Sequence, residues 1–257
     1  MACGTPGEET PSMIYRCQTP ISNLILRCTS QDAMRRRLPP REACKSARNM
    51  ASQYLHRAAQ LIVDSAGLMT DEALSEMEAT ISTALIRGNK LMLCGNGGSA
   101  ADAQHLAAEL LVRLRPDINR QGIPAIALTM DASTLTAQAN DYGFDGIFER
   151  MVETIGNPGD VLLGISTSGE SQNVVRALKA ARGMEIATIG LLGSGGGKAL
   201  AACDQAFVVP SDETAMIQTV HSALGHALLI GVEDALLEQG FISQDGRGPA
   251  ASGQAGS

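Results

Sequence analysis

The sequence predicts an α/β protein: a three-layer α/β/α sandwich with a five-stranded parallel sheet, preceded by additional N-terminal helices. Five short apolar runs alternate with stretches of helical length, and this β-α-β order is typical of parallel sheets covered on both faces. Hydrophobic residues make up 44% of the 257 residues, which is enough for a sizeable core. Because only 3% of the residues are aromatic, that core must consist mainly of Ala, Leu, Ile, Val and Met.

The regular pattern begins after Met50 with two amphipathic helices, predicted at 51–68 and 71–87. Thr70 is placed to cap the second helix, and Asp71 and Glu72 give it an acidic first turn. Ligands of open parallel sheets bind beyond the carboxyl ends of the strands, so functional residues are expected there. Strands are predicted at 90–94, 124–129, 160–165, 186–192 and 205–209. Helices are predicted after them at 98–113, 131–155, 170–183, 197–202 and 213–239.

Residues 1–49 differ in composition from the rest of the chain. They hold five of the ten prolines and four of the six cysteines, and they lack a helical or strand period, so we predict disorder. Three interpretations stay open: sequence translated upstream of a true start at Met50, a genuine tail, or a targeting peptide. The main domain is predicted at 50–240. Residues 241–257, rich in Gly, Ala and Ser from Gly246 onwards, are predicted to form a disordered tail.

The composition excludes several classes of function. The formal net charge of −7 argues against a nucleic-acid partner, because general nucleic-acid binders need a basic surface to neutralise phosphates. No uninterrupted apolar run reaches the roughly 18–20 residues of a membrane span, so no membrane partner is expected. The six cysteines include no C-x-x-C pair, which favours reduced thiols in a cytoplasmic protein.

Two polar turns after predicted strands are suited to bind an anion. The first is Cys94-Gly95-Asn96-Gly97-Gly98-Ser99, whose glycines let the backbone approach a ligand. The second is Ser166-Thr167-Ser168-Gly169-Glu170-Ser171, which places four hydroxyls at the start of a helix. One hydroxyl would suffice to cap that helix, so we interpret the cluster as a phosphate site.

The histidines suggest a metal site. His105 and Glu109 are four residues apart on one predicted helix, so both side chains lie on one face and can share a metal ion. Gln218 and His226 lie on the last long helix, eight residues or about 12 Å apart along its axis. They can share an ion only by leaning towards it, and ligands from neighbouring subunits would ease that geometry. His221 is the competing ligand, or else a buried histidine.

These residues resemble a known family. Residues 50–240 are similar to phosphoheptose isomerases, members of the sugar isomerase (SIS) domain superfamily, with the motifs in the family's order and spacing. The matching motifs are Gly95-Asn96-Gly97-Gly98-Ser99, Asp102-Ala103-Gln104-His105 with Glu109, Pro124-Ala125-Ile126-Ala127-Leu128-Thr129, Asn140-Asp141-Tyr142-Gly143, the run from Gly159 to Gly169, and Ile217-Gln218 with His221 and His226.

The resemblance implies the SIS fold, a homotetramer with active sites at subunit interfaces, and the conversion of sedoheptulose 7-phosphate to D-glycero-D-manno-heptose 7-phosphate. This reaction is the first step of ADP- and GDP-heptose biosynthesis. One Zn²⁺ ion per subunit is implied, with the ligands His105, Glu109, Gln218 and His226. The implied substrate contacts are Asn96, Gly97, Gly98, Ser99, Glu109, Asn140, Asp141, Ser166, Thr167, Ser168, Ser171 and Gln218.

The implied chemistry suits these residue types. Ketose–aldose isomerisation moves a proton between C1 and C2 through an enediol, and it needs a base, an acid and stabilisation of charge on oxygen. By the resemblance, Glu109 is the base and His226 the acid, while zinc acts as a Lewis acid. Asp141 is expected to orient the sugar hydroxyls.

Two departures from the family and two alternatives stay open. The segment 193–197 is rich in Gly, and Ala215 stands where some relatives carry an acidic residue. A non-catalytic SIS protein, which binds a replication initiator or senses sugar phosphates, is one alternative; the retained Glu109, His105 and His226 favour an enzyme. A related isomerase of hexose or pentose phosphates is the other.

Overall fold

A computed structural model describes residues 41–129 and 131–244, where helices enclose a parallel five-stranded sheet. The three-layer sandwich and all five strands are therefore confirmed, whereas residues 1–40 and 245–257 of the predicted disordered segments lie outside the described residues. The elements are α1 (Arg41–Leu68), α2 (Asp71–Ile86), β1 (Leu91–Gly95), α3 (Gly98–Leu111), β2 (Ala125–Ala127), α4 (Ala132–Tyr142), α5 (Ile147–Ile155), β3 (Val161–Ser166), α6 (Gln172–Gly183), β4 (Ala187–Leu192), α7 (Gly197–Leu200), β5 (Gln205–Val208) and α8 (Thr214–Glu238).

The strand order is β2-β1-β3-β4-β5, and every neighbouring pair is parallel. In the middle of the sheet, Leu93 of β1 stands opposite Ala127 of β2 on one side and Leu163 of β3 on the other. The chain thus leaves β1 in one direction to form β2 and then crosses to the other side to form β3. Such a reversal opens a crevice between the carboxyl ends of β1 and β3, which is the usual ligand position in these sheets.

Two apolar cores lie on opposite faces of the sheet, and alternate residues of β1 feed them. Leu91 and Leu93 pack into the first core with α2, α3 and α8, whereas Met92 and Cys94 pack into the second with α5 and α6. All five residues of β1 are buried. A strand buried on both faces needs a continuous apolar run, which explains why the strands were predictable from the sequence.

α8 is the helix among the described residues that is long and apolar enough to cross a membrane, with a mean hydropathy of 1.3. It packs against α2 and α3 and buries Leu228, Leu229 and Val232 in the first core. Glu233, on the same helix, is fully buried in an ion pair with Arg120. Burial inside the protein therefore accounts for part of the apolar composition of α8.

The single helix predicted at 131–155 is wrong, because the structure divides it in two. α4 ends at Tyr142. The next residue, Gly143, has a φ of 91°, which lies in the left-handed region that glycine adopts readily and other residues do not, and this conformation ends the helix. A 3₁₀ turn at Phe144–Gly146 then leads into α5. The helix predicted at 197–202 is likewise only one turn long.

Described structure reaches into both segments that were predicted to be disordered, 1–49 and 241–257. α1 begins at Arg41 rather than after residue 50, since the segment 41–49 is rich in helix-forming Arg, Ala and Lys and follows two prolines. At the other end, Gly240 adopts a left-handed φ of 68°, and the Phe241 N–H donates to the Leu236 carbonyl at 2.9 Å. This turn returns the chain to the first core, where Ile242 is only 2% exposed. Residues 241 and 242 are therefore not part of a disordered tail.

Candidate active site

α3 and α8 lie side by side and run in the same direction. Near their starts, the side chain of Gln218 crosses the backbone of Gly98 so closely that an added Cβ would lie 2.3 Å from its Nε2. One turn further along both helices, the Ser222 hydroxyl donates a hydrogen bond of 2.6 Å to the Asp102 carboxylate. Side chains at matching heights on the two helices therefore face each other.

Three predicted metal ligands meet at the next turn of these helices. Nε2 of His105 lies 2.9 Å from Nε2 of His226 and 3.6 Å from the carboxylate oxygen Oε1 of Glu109. One candidate ligand atom from each residue lies within 4.8 Å of the other two. The two imidazole rings meet edge to face, with centroids 5.0 Å apart. Folding thus joins a pair on α3 to a histidine 121 residues away from His105 on α8.

The donor set suits a divalent metal ion. Imidazole nitrogens and a carboxylate oxygen are common ligands of transition metals, and a cation between two facing Nε2 atoms would use both of their lone pairs. The side chain of His105 is 50% exposed, whereas that of Glu109 is 19% exposed. The group is therefore open to solvent on one side, which leaves room for a small ligand beside the metal.

Gln218, the fourth predicted ligand, is placed by its contact with Gly98 at the start of α3. Its Cα lies eight residues before that of His226, about 12 Å along α8. A side chain at position 98 would displace the Gln218 amide, which is the far end of a flexible side chain. A place for Gln218 among the metal ligands stays a prediction.

Two asparagines join the turns that follow β1 and β3. The Asn96 amide donates to Oδ1 of Asn173, and the Asn173 amide donates to Oδ1 of Asn96, each at 2.8 Å. Asn173 lies in the first turn of α6 and is only 2% exposed. Sequence reasoning missed Asn173; the one available signal was a polar residue directly before the buried pair Val174 and Val175 in an amphipathic helix.

The serine-rich turn divides into structural and open hydroxyls. Ser166 is buried, and its Oγ accepts a hydrogen bond of 3.0 Å from the Gly169 N–H. Thr167 is half-buried and Ser168 is exposed, with the Ser168 Oγ accepting at 3.2 Å from the N–H of Glu170. Ser171, at the N-cap of α6, makes no capping hydrogen bond through its side chain. The hydroxyls of Thr167, Ser168 and Ser171 therefore lie near the N-terminal end of α6, and an anion site there stays a prediction.

The unusual glycines at 193–197 have a packing role beside this turn. Gly169 has a φ of 65°, and an added Cβ would lie 2.0 Å from the carbonyl oxygen of Gly196. Gly197 has a φ of 49°, and a Cβ added to it would likewise collide with the backbone of Gly169. The two loops thus touch backbone to backbone, which only glycine permits at these positions. Lys198 reinforces the contact through an ion pair of 2.7 Å with Glu170.

The remaining predicted substrate residues lie in different surroundings. Asn140 and Asp141, at the end of α4, are exposed, and the Asn140 amide donates to the Asp141 carboxylate at 2.8 Å. No described hydrogen bond or ion pair links them to the metal group or to the serine-rich turn. Ser99 is buried, only 3% exposed, while Gly97 is exposed and takes a φ of 56° at the start of α3. The structure thus brings the two loops and the metal group onto neighbouring elements, but leaves 140 and 141 apart.

Comparison with known proteins identifies the family. The sequence profile of the SIS domain matches residues 46–193. The chain belongs to the SIS domain family. A phosphoheptose isomerase of Rhodospirillum rubrum is 53% identical over 164 residues, which cover 64% of this chain and 86% of that protein. The resemblance drawn from the motifs is thereby confirmed.

Two solved structures carry the same name. The phosphoheptose isomerase of Neisseria gonorrhoeae is 37% identical, with a TM-score of 0.68 over 73% of this chain and 99% of that one. The enzyme of Francisella tularensis is 34% identical, with a TM-score of 0.69 over 73% of this chain and 98% of that one. The SIS fold predicted from the motifs is therefore confirmed as well.

A polar cleft of about 370 Å³ opens in this SIS domain where α1 meets the starts of α3 and α8. Its walls include Gln218 and Gly98 from the site, together with Tyr54, whose hydroxyl donates to the Ala215 carbonyl at 3.2 Å. A larger cavity of about 430 Å³ lies beside Asp160, at the amino end of β3. The smaller cleft adjoins Gly98 and Gln218 of the candidate site, and the larger one adjoins none of its residues.

His221 is a core histidine rather than a fifth member of the metal group. It is fully buried, and its Nε2 lies 3.1 Å from the Leu192 carbonyl oxygen, to which it can donate. Burial lowers the pKa of His221, although the hydrogen bond to Leu192 and the charge of Asp102 act in the opposite direction. The ring is therefore held neutral and ties α8 to the carboxyl end of β4.

Proposed function

We propose that this chain is a phosphoheptose isomerase that interconverts sedoheptulose 7-phosphate and D-glycero-D-manno-heptose 7-phosphate, the first step of ADP- and GDP-heptose biosynthesis. The observation that carries the proposal is the meeting of His105, Glu109 and His226 between α3 and α8. These residues supply a base, an acid and metal ligands in one place, which a non-catalytic module would not need. The 53% identical relative bears the name of this enzyme.

Zinc is the metal we propose, with one ion per subunit. His105, Glu109 and His226 have the nitrogen and oxygen donors that zinc prefers, and Gln218 would complete the set as predicted. When bound, zinc supplies a Lewis acid that polarises the oxygens of the substrate. The exposed side of His105 leaves that substrate a path of approach.

Two of the chain's own groups are proposed to move protons. The Glu109 carboxylate takes the proton from one of the carbons C1 and C2 and returns it to the other. In the ketose-to-aldose direction, the His226 imidazole gives a proton to the oxygen on C2 as the enediol forms and takes one from the hydroxyl on C1 as the enediol collapses. Both side chains are partly exposed, so they can contact a substrate in the open side of the group.

The phosphate is proposed to bind at the N-terminal end of α6. Thr167, Ser168 and Ser171 would contact it with their hydroxyls, and the free N–H groups and dipole of α6 favour its negative charge. Ser166 holds the turn in shape through Gly169. The sugar itself would be contacted by Asn96, Gly97, Gly98, Ser99, Glu109, Asn140, Asp141 and Gln218.

We further propose a cytoplasmic homotetramer with no nucleic-acid or membrane partner. Four large apolar side chains of α1 are strongly exposed: Met50 and Leu55 at 68%, Val63 at 64% and Leu68 at 61%. Apolar faces of this kind are commonly buried against another subunit. Such an assembly would also let Asn140 and Asp141 serve a site formed with another subunit.

The proposed activity is tested by following purified protein by NMR with sedoheptulose 7-phosphate and, separately, with hexose and pentose ketose phosphates. We expect aldose signals to grow fastest with the seven-carbon substrate. Faster turnover of a shorter sugar would reassign the substrate. Binding of the sugar phosphates without turnover would favour the non-catalytic alternative.

A further inference from the structure

A buried cluster of charges lies beside the candidate metal site and has no role in the proposed proton transfers. Its centre is the ion pair between Arg120 and Glu233, whose side chains are both 0% exposed. Arg115 joins it with an ion pair of 2.6 Å to Glu233 and a second ion pair to Asp234. Fully buried charges cost solvation free energy, and a buried ion pair often adds little stability over apolar residues of similar volume. The cluster therefore calls for another explanation.

On one side, Arg120 binds the end of α3. Its guanidinium donates 2.8 Å to the main-chain carbonyl of Glu109 and 2.9 Å to that of Leu110. The last carbonyls of a helix lack partners within the helix and carry its negative dipole end, so a buried cation is well placed there. Arg120 thus fixes the turn of α3 from which the Glu109 side chain projects.

On the other side, the cluster is attached to α8 through Glu233. Glu233 lies seven residues, or two turns, after His226 on that helix. Both of its carboxylate oxygens are engaged, one by Arg120 and the other by Arg115. Burial alone would lower the pKa of Arg115, but its hydrogen bonds to Asp234 and Glu233 raise it, so its charge is secure.

We propose that Arg120 and Glu233 are positioning residues, which hold α3 and α8 at the separation that lets His105, Glu109 and His226 bind one metal ion. The inference rests on the proposed function, since it assumes that these three residues bind a metal. A metal site tolerates ligand displacements of only about 0.2 Å. Apolar packing alone lets helices slide and tilt, whereas directed charge-assisted hydrogen bonds to a main-chain carbonyl fix both spacing and height.

The test compares zinc affinity with stability in two variants. Arg120→Lys keeps the positive charge but loses the forked guanidinium group, which donates hydrogen bonds to Glu233 and to two main-chain carbonyls at once. We expect its zinc dissociation constant, measured by competition calorimetry, to rise at least about tenfold, the usual effect of removing support from a metal ligand. The visible spectrum of the cobalt-substituted protein, which reports ligand geometry, should change as well.

The matched control is Asp160→Asn. Asp160 is 1% exposed and pairs with Lys90 at 2.5 Å; the two residues directly precede β3 and β1, at the amino ends of these strands. This variant should lower Tm by an amount similar to Arg120→Lys and leave the zinc affinity and cobalt spectrum unchanged. Equal losses of zinc affinity in both variants would show that the cluster acts only through stability.

A double variant keeps the proposal falsifiable if Arg120→Lys does not fold. Arg120→Met with Glu233→Leu removes the buried pair as a unit, which proteins often tolerate. We expect a Tm near that of the wild type together with the same tenfold or larger loss of zinc affinity. Wild-type affinity in folded variants would overturn this inference alone. Failure of the wild-type protein to bind zinc would overturn the proposed metal site and this inference with it.

Discussion

The side-chain amides of Asn96 and Asn173 hydrogen-bond to each other in both directions, 2.8 Å each way, although 77 residues separate them in sequence. The pair joins the glycine-rich turn after β1 to the first turn of α6. Both turns are proposed to contact the sugar phosphate, so the pair fixes their relative position. It also engages much of the Asn96 amide, which was expected to face the substrate.

Asn173→Ala should therefore weaken substrate binding more than turnover. It leaves the half-buried Asn96 amide without its partner, at a cost of about 1–3 kcal/mol in the free energy of unfolding. We expect KM to rise about tenfold with a smaller change in kcat, measured in steady-state assays. Asn89→Ala is the control, since Asn89 donates to Pro158 and Asp160 far from the site. An unchanged KM in folded Asn173→Ala would contradict this role.

Glu109→Gln should separate proton transfer from metal binding. The amide keeps the shape and one oxygen ligand but removes the basic site, so turnover should fall by roughly 10²–10⁴-fold. Zinc content and substrate binding should survive better than turnover. Glu153→Gln, an exposed position on α5, serves as the control. If Glu109→Gln turns over at the wild-type rate with zinc bound, Glu109 is not the base.

Ser168→Ala and Ser166→Ala should behave differently, although both remove a hydroxyl from the same turn. Ser168 is exposed, and a phosphate contact serves ground state and transition state alike, so its loss should raise KM and leave kcat nearly intact. Ser166 is buried and accepts from the Gly169 N–H, so its loss should lower the free energy of unfolding by about 1–3 kcal/mol. Steady-state assays and urea unfolding of both variants test this prediction. Equal changes of KM and of the free energy of unfolding in the two variants would contradict the distinction between Ser166 and Ser168.

The neutral state of His221 predicts a pH dependence of stability. Burial lowers its folded-state pKa, so below the ordinary value of about 6.5 the unfolded chain binds a proton that the folded protein refuses. Stability should then fall as pH decreases from 7 to 5, by up to about 1.4 kcal/mol per pH unit from this group. The slope of the free energy of unfolding against pH should be smaller in His221→Gln than in the wild type. Both proteins are measured without metal, so that His105 and His226 contribute equally to the two slopes. Equal slopes would refute the assignment.

A chain that starts at Met50 should fold and be fully active. The first hydrogen bond from α1 to the rest of the domain among the described side chains comes from Tyr54, which the shorter chain retains. Its Tm and specific activity should match those of the full chain. A large loss of Tm would mean that residues 1–49 support the domain.

Local patterns in the sequence predicted the elements and most of the metal group. Buried parallel strands are continuous apolar runs, and the four-residue spacing of His105 and Glu109 places both on one face of a helix. Gly143, in contrast, sits inside an otherwise helical stretch, and only its left-handed φ in the fold reveals that it ends α4.

The rest of the site depends on long-range pairs that no local period encodes. In the sequence, Asn173 is an ordinary polar residue and Arg120 is a cation in a predicted loop. The fold brings Asn173 to Asn96, and it brings Arg120 to the main-chain carbonyl of Glu109. Ser166 and Ser168 look equivalent in sequence, and only burial separates the structural hydroxyl from the open one.

The most direct test of a zinc-dependent isomerase is a zinc titration of metal-free protein, with turnover of sedoheptulose 7-phosphate followed by NMR in D₂O. We expect no turnover before zinc is added, and a rate that saturates at one zinc per subunit. The aldose formed should carry deuterium at C2, because the proton moves through an exchangeable carboxylic acid. Full activity without metal, or none at any zinc concentration, would contradict the account.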